Sequence, residues 1–158
     1  MVKLRVEVEH DHLERLIKGP LQGLAEMIWN AIDADAALVA GELEFGPLGG
    51  PARVIVTDNG TGISAEQASL SFSHLGGPWK RTATRSPGGR PLHGQAGQGR
   101  WAAYGIGSSI EWSTVAEQVT GGRARLRISG ARDELRDFDV SSQSRRTSRL
   151  APPFASAH

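Results

Sequence analysis

Residues 74–100 divide this chain. The stretch HLGGPWKRTATRSPGGRPLHGQAGQGR holds seven glycines, three prolines and five Lys/Arg, with no acid and no sustained hydrophobic period. Glycine loses the most backbone entropy on ordering and proline lacks an N–H, so no long helix or strand crosses such a segment. A core must therefore be built from two blocks, one on each side, joined by a long, mobile loop.

Both blocks carry regular patterning. Val2, Leu4, Val6 and Val8 alternate with Lys3, Arg5, Glu7 and Glu9, which predicts a half-buried strand over 2–9. A short helix over 11–18 stops at Gly19. Pro20 then suits the first position of a longer helix over 20–36, with Leu21, Leu24, Ile28 and Ala31 at helical spacing. Residues 38–45 and 52–57 read as strands joined by the turn GPLGGP, and Ser64 with Gln67 has the spacing of a capping box opening a helix through Phe72. A helix over about 99–107 and strands near 109–117 and 123–129 follow. Residues 131–158 read as too polar to supply a strand. The pattern gives one α/β domain with helices and strands in mixed order and no internal repeat.

Composition removes whole classes of function. The 158 residues include no cysteine, so disulfides, thiolate metal sites and cysteine nucleophiles are excluded and a reducing, cytoplasmic setting is permitted. No run of eighteen apolar residues exists, and MVKLRVEVEHDH lacks the apolar region of a secretory signal; no membrane partner is expected. The net charge of +1 hides an asymmetry: residues 1–79 carry 5 Lys/Arg against 11 Asp/Glu, and residues 80–158 carry 13 against 6. A basic second half facing an acidic first half suits an anionic ligand, or self-complementary surface charge.

Three motifs carry chemistry. In EMIWNAIDADA, Glu26, Asn30 and Asp33 are spaced four and three apart and share one helix face. A carboxamide oxygen at Asn30 suits Mg²⁺, which keeps waters and phosphates as its other ligands, and Glu26 one turn earlier can deprotonate a water; a plain solvated face is the alternative. In VIVTDNGTGIS an apolar strand ends at Asp58, whose carboxylate can accept from an exocyclic amine, beside glycines that admit a flat ring or simply make a turn. In HGQAGQGRWAAYG, Gly94, Gly97 and Gly99 precede a helix-like stretch with Arg100 at its start, as an anion-binding turn or a flexible linker would. No strand immediately precedes it and no Gly-Lys-Ser/Thr exists, so neither a Rossmann fingerprint nor a P-loop fits.

In this order the three motifs resemble the ATP-binding domain shared by DNA gyrase B subunits, MutL mismatch-repair proteins, ninety-kilodalton heat-shock chaperones and sensor histidine kinases (the GHKL, or Bergerat-fold, superfamily). Glu26, Asn30, Ala31, Asp33 and Ala34 match its first box, Asp58, Gly60 and Gly62 its second, and Gly94, Gly97 and Gly99 its third. Five specified residues recur by chance at roughly one position in a few million.

The resemblance implies an α/β (α+β) two-layer sandwich, with a mixed, mostly antiparallel sheet covered on one face by helices. It places the ATP-binding domain at 1–130, with a lid over about 74–99, and leaves 131–158 as a polar C-terminal segment. It implies ATP and Mg²⁺ as ligands, Asn30 as metal and phosphate ligand, Glu26 as general base and Asp58 as adenine anchor. By the same resemblance Gly62 and Ile63 are expected to line the base pocket, Ala34 to pack close to the nucleotide and Asp33 to support it. Leu75, Gly76 and Lys80 resemble a chaperone-type L-G-x-x-x-K segment, which implies that Lys80 and Thr82 are nucleotide neighbours. The resemblance also implies ATP contacts at Gly60 and, where the third box meets its helix, at Gly94, Gly97, Gln98, Gly99 and Arg100.

A carboxylate at Glu26 suits hydrolysis, whereas histidine kinases usually carry Asn or His there. The expected activity is Mg²⁺-dependent ATP hydrolysis driving a conformational switch, with ATP-dependent homodimerisation, in a piece of a longer bacterial-type protein. The alternatives are a kinase-type ATP domain, or a nucleotide-regulated module that binds protein or nucleic acid through Arg123, Arg125, Arg127, Arg145, Arg146 and Arg149.

Overall fold

The computed structural model describes residues 1–73, 84–93, 98–118 and 121–144. Strands β1 (Val2–Arg5), β2 (Val39–Phe45), β3 (Pro51–Asp58), β4 (Ser109–Glu117), β5 (Arg123–Ala131) and β6 (Asp137–Ser144) form two antiparallel sheets. One has the order β1-β6-β5-β4, and the other is the β2-β3 hairpin. The helices are α1 (His10–Glu14), α2 (Pro20–Asp33), α3 (Ala65–Ser73) and α4 (Gly99–Ala102), the last continuing into a 3₁₀ turn at Ala103–Gly105.

Alternation decides which face of the larger sheet is dry. Along β5, Ala124, Leu126 and Ile128 are buried between the exposed Arg123, Arg125 and Arg127. An antiparallel sheet tolerates one wet face, so helices need cover only the other. There Phe138 of β6 meets Phe72, Trp112 and Trp101 at ring-centroid distances of 5.1, 6.2 and 6.4 Å. The Trp101 indole N–H is satisfied by the Leu135 carbonyl at 3.0 Å. Leu13 of α1 and Ala68 of α3 complete a core that joins both sides of residues 74–100. This is an α+β two-layer arrangement.

Helix α2 stands apart from that core. It packs on α4 and the 3₁₀ turn, where a Cβ on Gly23 would come within 2.6 Å of the Ala102 carbonyl oxygen. The stripe of Glu26, Asn30 and Asp33 on α2 lines a cleft instead of the sheet core.

Several boundaries differ from expectation, each for a local reason. The first strand ends at Arg5, because Val6 turns inward to full burial and donates to the Arg136 carbonyl. The expected 11–18 helix is regular only over His10–Glu14. Helix α2 stops at Asp33, closed by a Schellman motif in which Asp35 N–H bonds Ile32 O and Ala36 N–H bonds Ala31 O. Helix α4 tightens at Ala103, since Gly105 lies against the Lys18 carbonyl with no room for a side chain. The capping box forms as expected: Gln67 N–H donates to Ser64 Oγ and Ser64 N–H to Gln67 Oε1.

The expectation that residues 131–158 are too polar for a strand is corrected over 137–144. There β6 pairs with both β1 and β5 and is an interior strand of the sheet. With one face wet, it needs only Phe138 and Val140 to point inward, and two apolar residues in DFDVSSQS are too few to register as a pattern.

Candidate functional site

A cleft of about 1290 Å³ opens between α2, the end of β3, the loop after it and β4. Glu26, Asn30 and Asp33 line one wall, and Asp58, Gly60, Gly62 and Ile63 line another. The helix stripe and the strand-end motif, 25 or more residues apart in sequence, thus share one cavity.

The contacts explain the residue types. Asp58 accepts the Gly60 N–H through Oδ1 at 2.8 Å, and no described residue bonds its Oδ2. A Cβ on Gly60 would lie 2.6 Å from the Ala34 carbonyl oxygen, the same oxygen that accepts the Thr61 N–H at 2.8 Å. Gly62 has φ +73, and a side chain there would strike the Val115 carbonyl. Both glycines are therefore steric requirements: one presses the loop on the end of α2, the other on β4. Ile63 N–H donates to Thr114 Oγ1 at 2.9 Å, and Asn59 Oδ1 accepts from Ala37 and Leu38 N–H at 2.8 and 2.9 Å. Asp58-Asn59-Gly60 is thus no hairpin turn; it stitches three elements together. Ala34 is the hinge of that stitch.

At the other end of the stripe, Glu26 Oε2 would lie 2.6 Å from a Cβ on Gly99, and Gln22 Nε2 donates to Glu26 Oε1 at 3.4 Å. Asn30 is exposed, with no described residue bonding its carboxamide. Asp33 Oδ1 accepts the His93 N–H at 2.9 Å. Gln98 and Gly99 reach the cleft at the start of α4. Arg100 borders it but turns toward α3: its Nη1 donates to the Ser71 carbonyl, and its guanidinium lies 3.9 Å from the Trp101 ring centre. Burial lowers its pKa to about 9, with Tyr104 opposing the shift, so it stays cationic at neutral pH. Lys80, Thr82, Gly94 and Gly97 lie outside the described residues, as do Leu75 and Gly76.

The expected lid is described only over 84–93 and 98–99. Residues 84–93 form a tight turn, bridged at Arg85–Pro91 and fastened to the end of α2. Composition suggested a mobile loop throughout, because contacts to a distant helix leave no local pattern. Asp35, Ser86, His93 and Thr114 were missed. Only Asp35 gave a signal, since Asp is one of the few non-glycine residues that tolerates the left-handed position just past a helix end. Of the arginines considered for nucleic acid, Arg127 faces Glu111 at 3.5 Å and Arg123 and Arg125 border the cleft. Arg145, Arg146 and Arg149 lie outside the described residues. Among the described residues no helix is long and apolar enough to cross a membrane.

This two-layer fold, with its cleft between a polar helix stripe and a strand end, defines a class: nucleotide-dependent ATP-binding modules of the GHKL type. The family described as "Histidine kinase-, DNA gyrase B-, and HSP90-like ATPase" matches residues 20–144, and the chain belongs to it. No individually curated protein matches the chain.

Proposed function

We propose that the cleft holds Mg-ATP between Asp58 and Asn30 and that the protein hydrolyses it, using the cycle as a conformational switch. One observation supports this above others: Asp58 and Asn30, from different elements, both line one cavity and both offer a side-chain oxygen that no described residue uses. Asp58 Oδ2 suits the exocyclic amine of adenine, with Gly62 giving the ring room and Ile63 an apolar contact. Asn30 suits a hard cation, and Asp33 and Ala34 hold the helix end around it.

Among the described residues no three His, Asp or Glu side chains converge on a metal position, so a cation here depends on Asn30 together with the ligand's phosphates. When bound, Mg²⁺ neutralises the charge on those phosphates. Glu26 stands one turn before Asn30 on the same stripe, placed to take a proton from a water attacking the terminal phosphate. Gly99, against the Glu26 carboxylate, brings backbone close to the same region. A second copy of the chain is the partner we assign to the switch. Light scattering with and without nucleotide tests that element; a mass unchanged by nucleotide removes it.

Calorimetric titration with a Mg-bound non-hydrolysable ATP analogue is the primary test. Binding by the parent and a loss of about 1–3 kcal/mol in Asp58→Asn are expected, the scale of one hydrogen bond to a charged group. Unchanged affinity in the folded variant would take Asp58 out of the base pocket.

A further inference from the structure

We propose that Asp35 is a positioning residue for the nucleotide site: it docks the 84–93 turn against the end of α2 and so sets where one wall of the cleft stands. The inference deepens the nucleotide-binding proposal and rests on it. Asp35 itself does not line the cleft, whereas Arg85, Ser86, Leu92 and His93 of the turn do. It acts through them.

The residue type is the first clue. Asp35 sits at φ 60, the left-handed position that glycine fills most readily at a helix end. Its carboxylate offsets the steric cost of a side chain there, and both oxygens are engaged. Oδ1 accepts the Ser86 hydroxyl at 2.5 Å, and Oδ2 accepts the Gly88 N–H at 2.8 Å. Ser86 is buried, and its Oγ also accepts the Arg90 N–H at 3.0 Å, closing the turn on itself. Gly88 has no space for a Cβ, which would fall 2.6 Å from Asp35 Oδ1.

Further contacts fasten the same turn to the same helix end. Arg90 Nη1 donates to the Ala36 carbonyl at 2.7 Å, and His93 N–H donates to Asp33 Oδ1. The His93 ring stacks on Trp29 at 4.0 Å with 11° between planes, and Trp29 is the chain neighbour of Asn30. A turn tied at positions 29, 33, 35 and 36 fixes the last two turns of α2, where Asn30 and Asp33 lie. Exposed hydrogen bonds are individually weak; converging on one rigid helix end, they become a wall.

The test uses the whole chain with Asp35→Gly, Asp35→Asn and Ser86→Ala. Glycine satisfies the backbone at this position and deletes only the carboxylate, so capping and docking are separated. Hydrogen exchange at the Gly88 and His93 amides reads docking, and KM against kcat for ATP turnover, with titration of the ATP analogue, reads the site. In the parent both amides are expected to be protected without nucleotide. In Asp35→Gly the Gly88 amide exchanges freely and nucleotide affinity falls about tenfold, a scale that packed networks carry, with KM moving more than kcat. Asp35→Asn, which keeps an acceptor and tolerates the left-handed conformation, restores most of the affinity. Ser86→Ala shifts affinity in the same direction and keeps the inference testable if Asp35→Gly fails to fold.

Freely exchanging Gly88 with parent-like affinity in Asp35→Gly and Ser86→Ala would overturn the positioning role, as would a Gly88 amide still protected without the carboxylate. A parent that binds no nucleotide is a separate result: it removes the nucleotide proposal and this role with it.

Discussion

Glu26 and Asn30 lie one helical turn apart, and their chemistry predicts different failures. Glu26→Ala is expected to leave ATP affinity nearly intact and to slow turnover about 10²–10⁴-fold, the usual scale for a general base. Asn30→Ala is expected to lose affinity and activity together if, as proposed, it removes a metal ligand. Phosphate release paired with a binding titration distinguishes them, and a Glu26→Ala protein as fast as the parent makes Glu26 a structural residue. Gly62 carries a stability prediction of another kind. Its φ of +73 and its contact with the Val115 carbonyl mean that Gly62→Ala must strain or shift the loop, at a cost of about 1–3 kcal/mol. A melting temperature equal to the parent's would show that the loop accommodates a methyl group after all.

Helix ends and turns hold this site, and one of them is pH-sensitive. The Ser86 hydroxyl first, then the Gly88 N–H, hold the Asp35 carboxyl below its ordinary value of 3.8, with the Arg90 charge adding to them and partial desolvation opposing. A carboxyl depressed in the folded state contributes stability that is fully present above its unfolded pKa and is lost as pH falls through the folded one. The 84–93 turn is therefore expected to stay docked through neutral and mildly acidic pH and to release only below 3.8. The Gly88 amide shift, followed by nuclear magnetic resonance during acid titration, gives the midpoint. A midpoint at or above 3.8 would mean that the carboxylate does not hold the turn.

The whole molecule closes only when β6 is in place. Phe138 is fully buried and touches aromatic rings from α3, α4 and β4, so Phe138→Ala is expected to cost about 3–5 kcal/mol. That is a large share of a stability of about 5–15 kcal/mol, and denaturant unfolding measures it directly. A loss under about 1 kcal/mol would show that β6 packs loosely and that the core is complete without it. The same strand separates the two edges of the sheet, β1 at one side and β5–β4 at the other, so its contribution is global.

The sequence by itself determined the elements whose signals are local. A proline at N1, a capping box, period-two alternation at the start of β1, and the stripe of Glu26, Asn30 and Asp33 all follow from neighbours within one or two turns. The Asp58, Gly60 and Gly62 spacing was legible too, because only glycine fits those two positions. Tertiary structure alone decided the rest. It made β6 an interior strand, since a sheet with one wet face asks for just two inward apolar residues there. It turned Arg100 under α3, and it docked 84–93 onto α2 through Asp35, across about fifty residues of chain. Those outcomes depend on partners that meet only after folding, and no local periodicity records them.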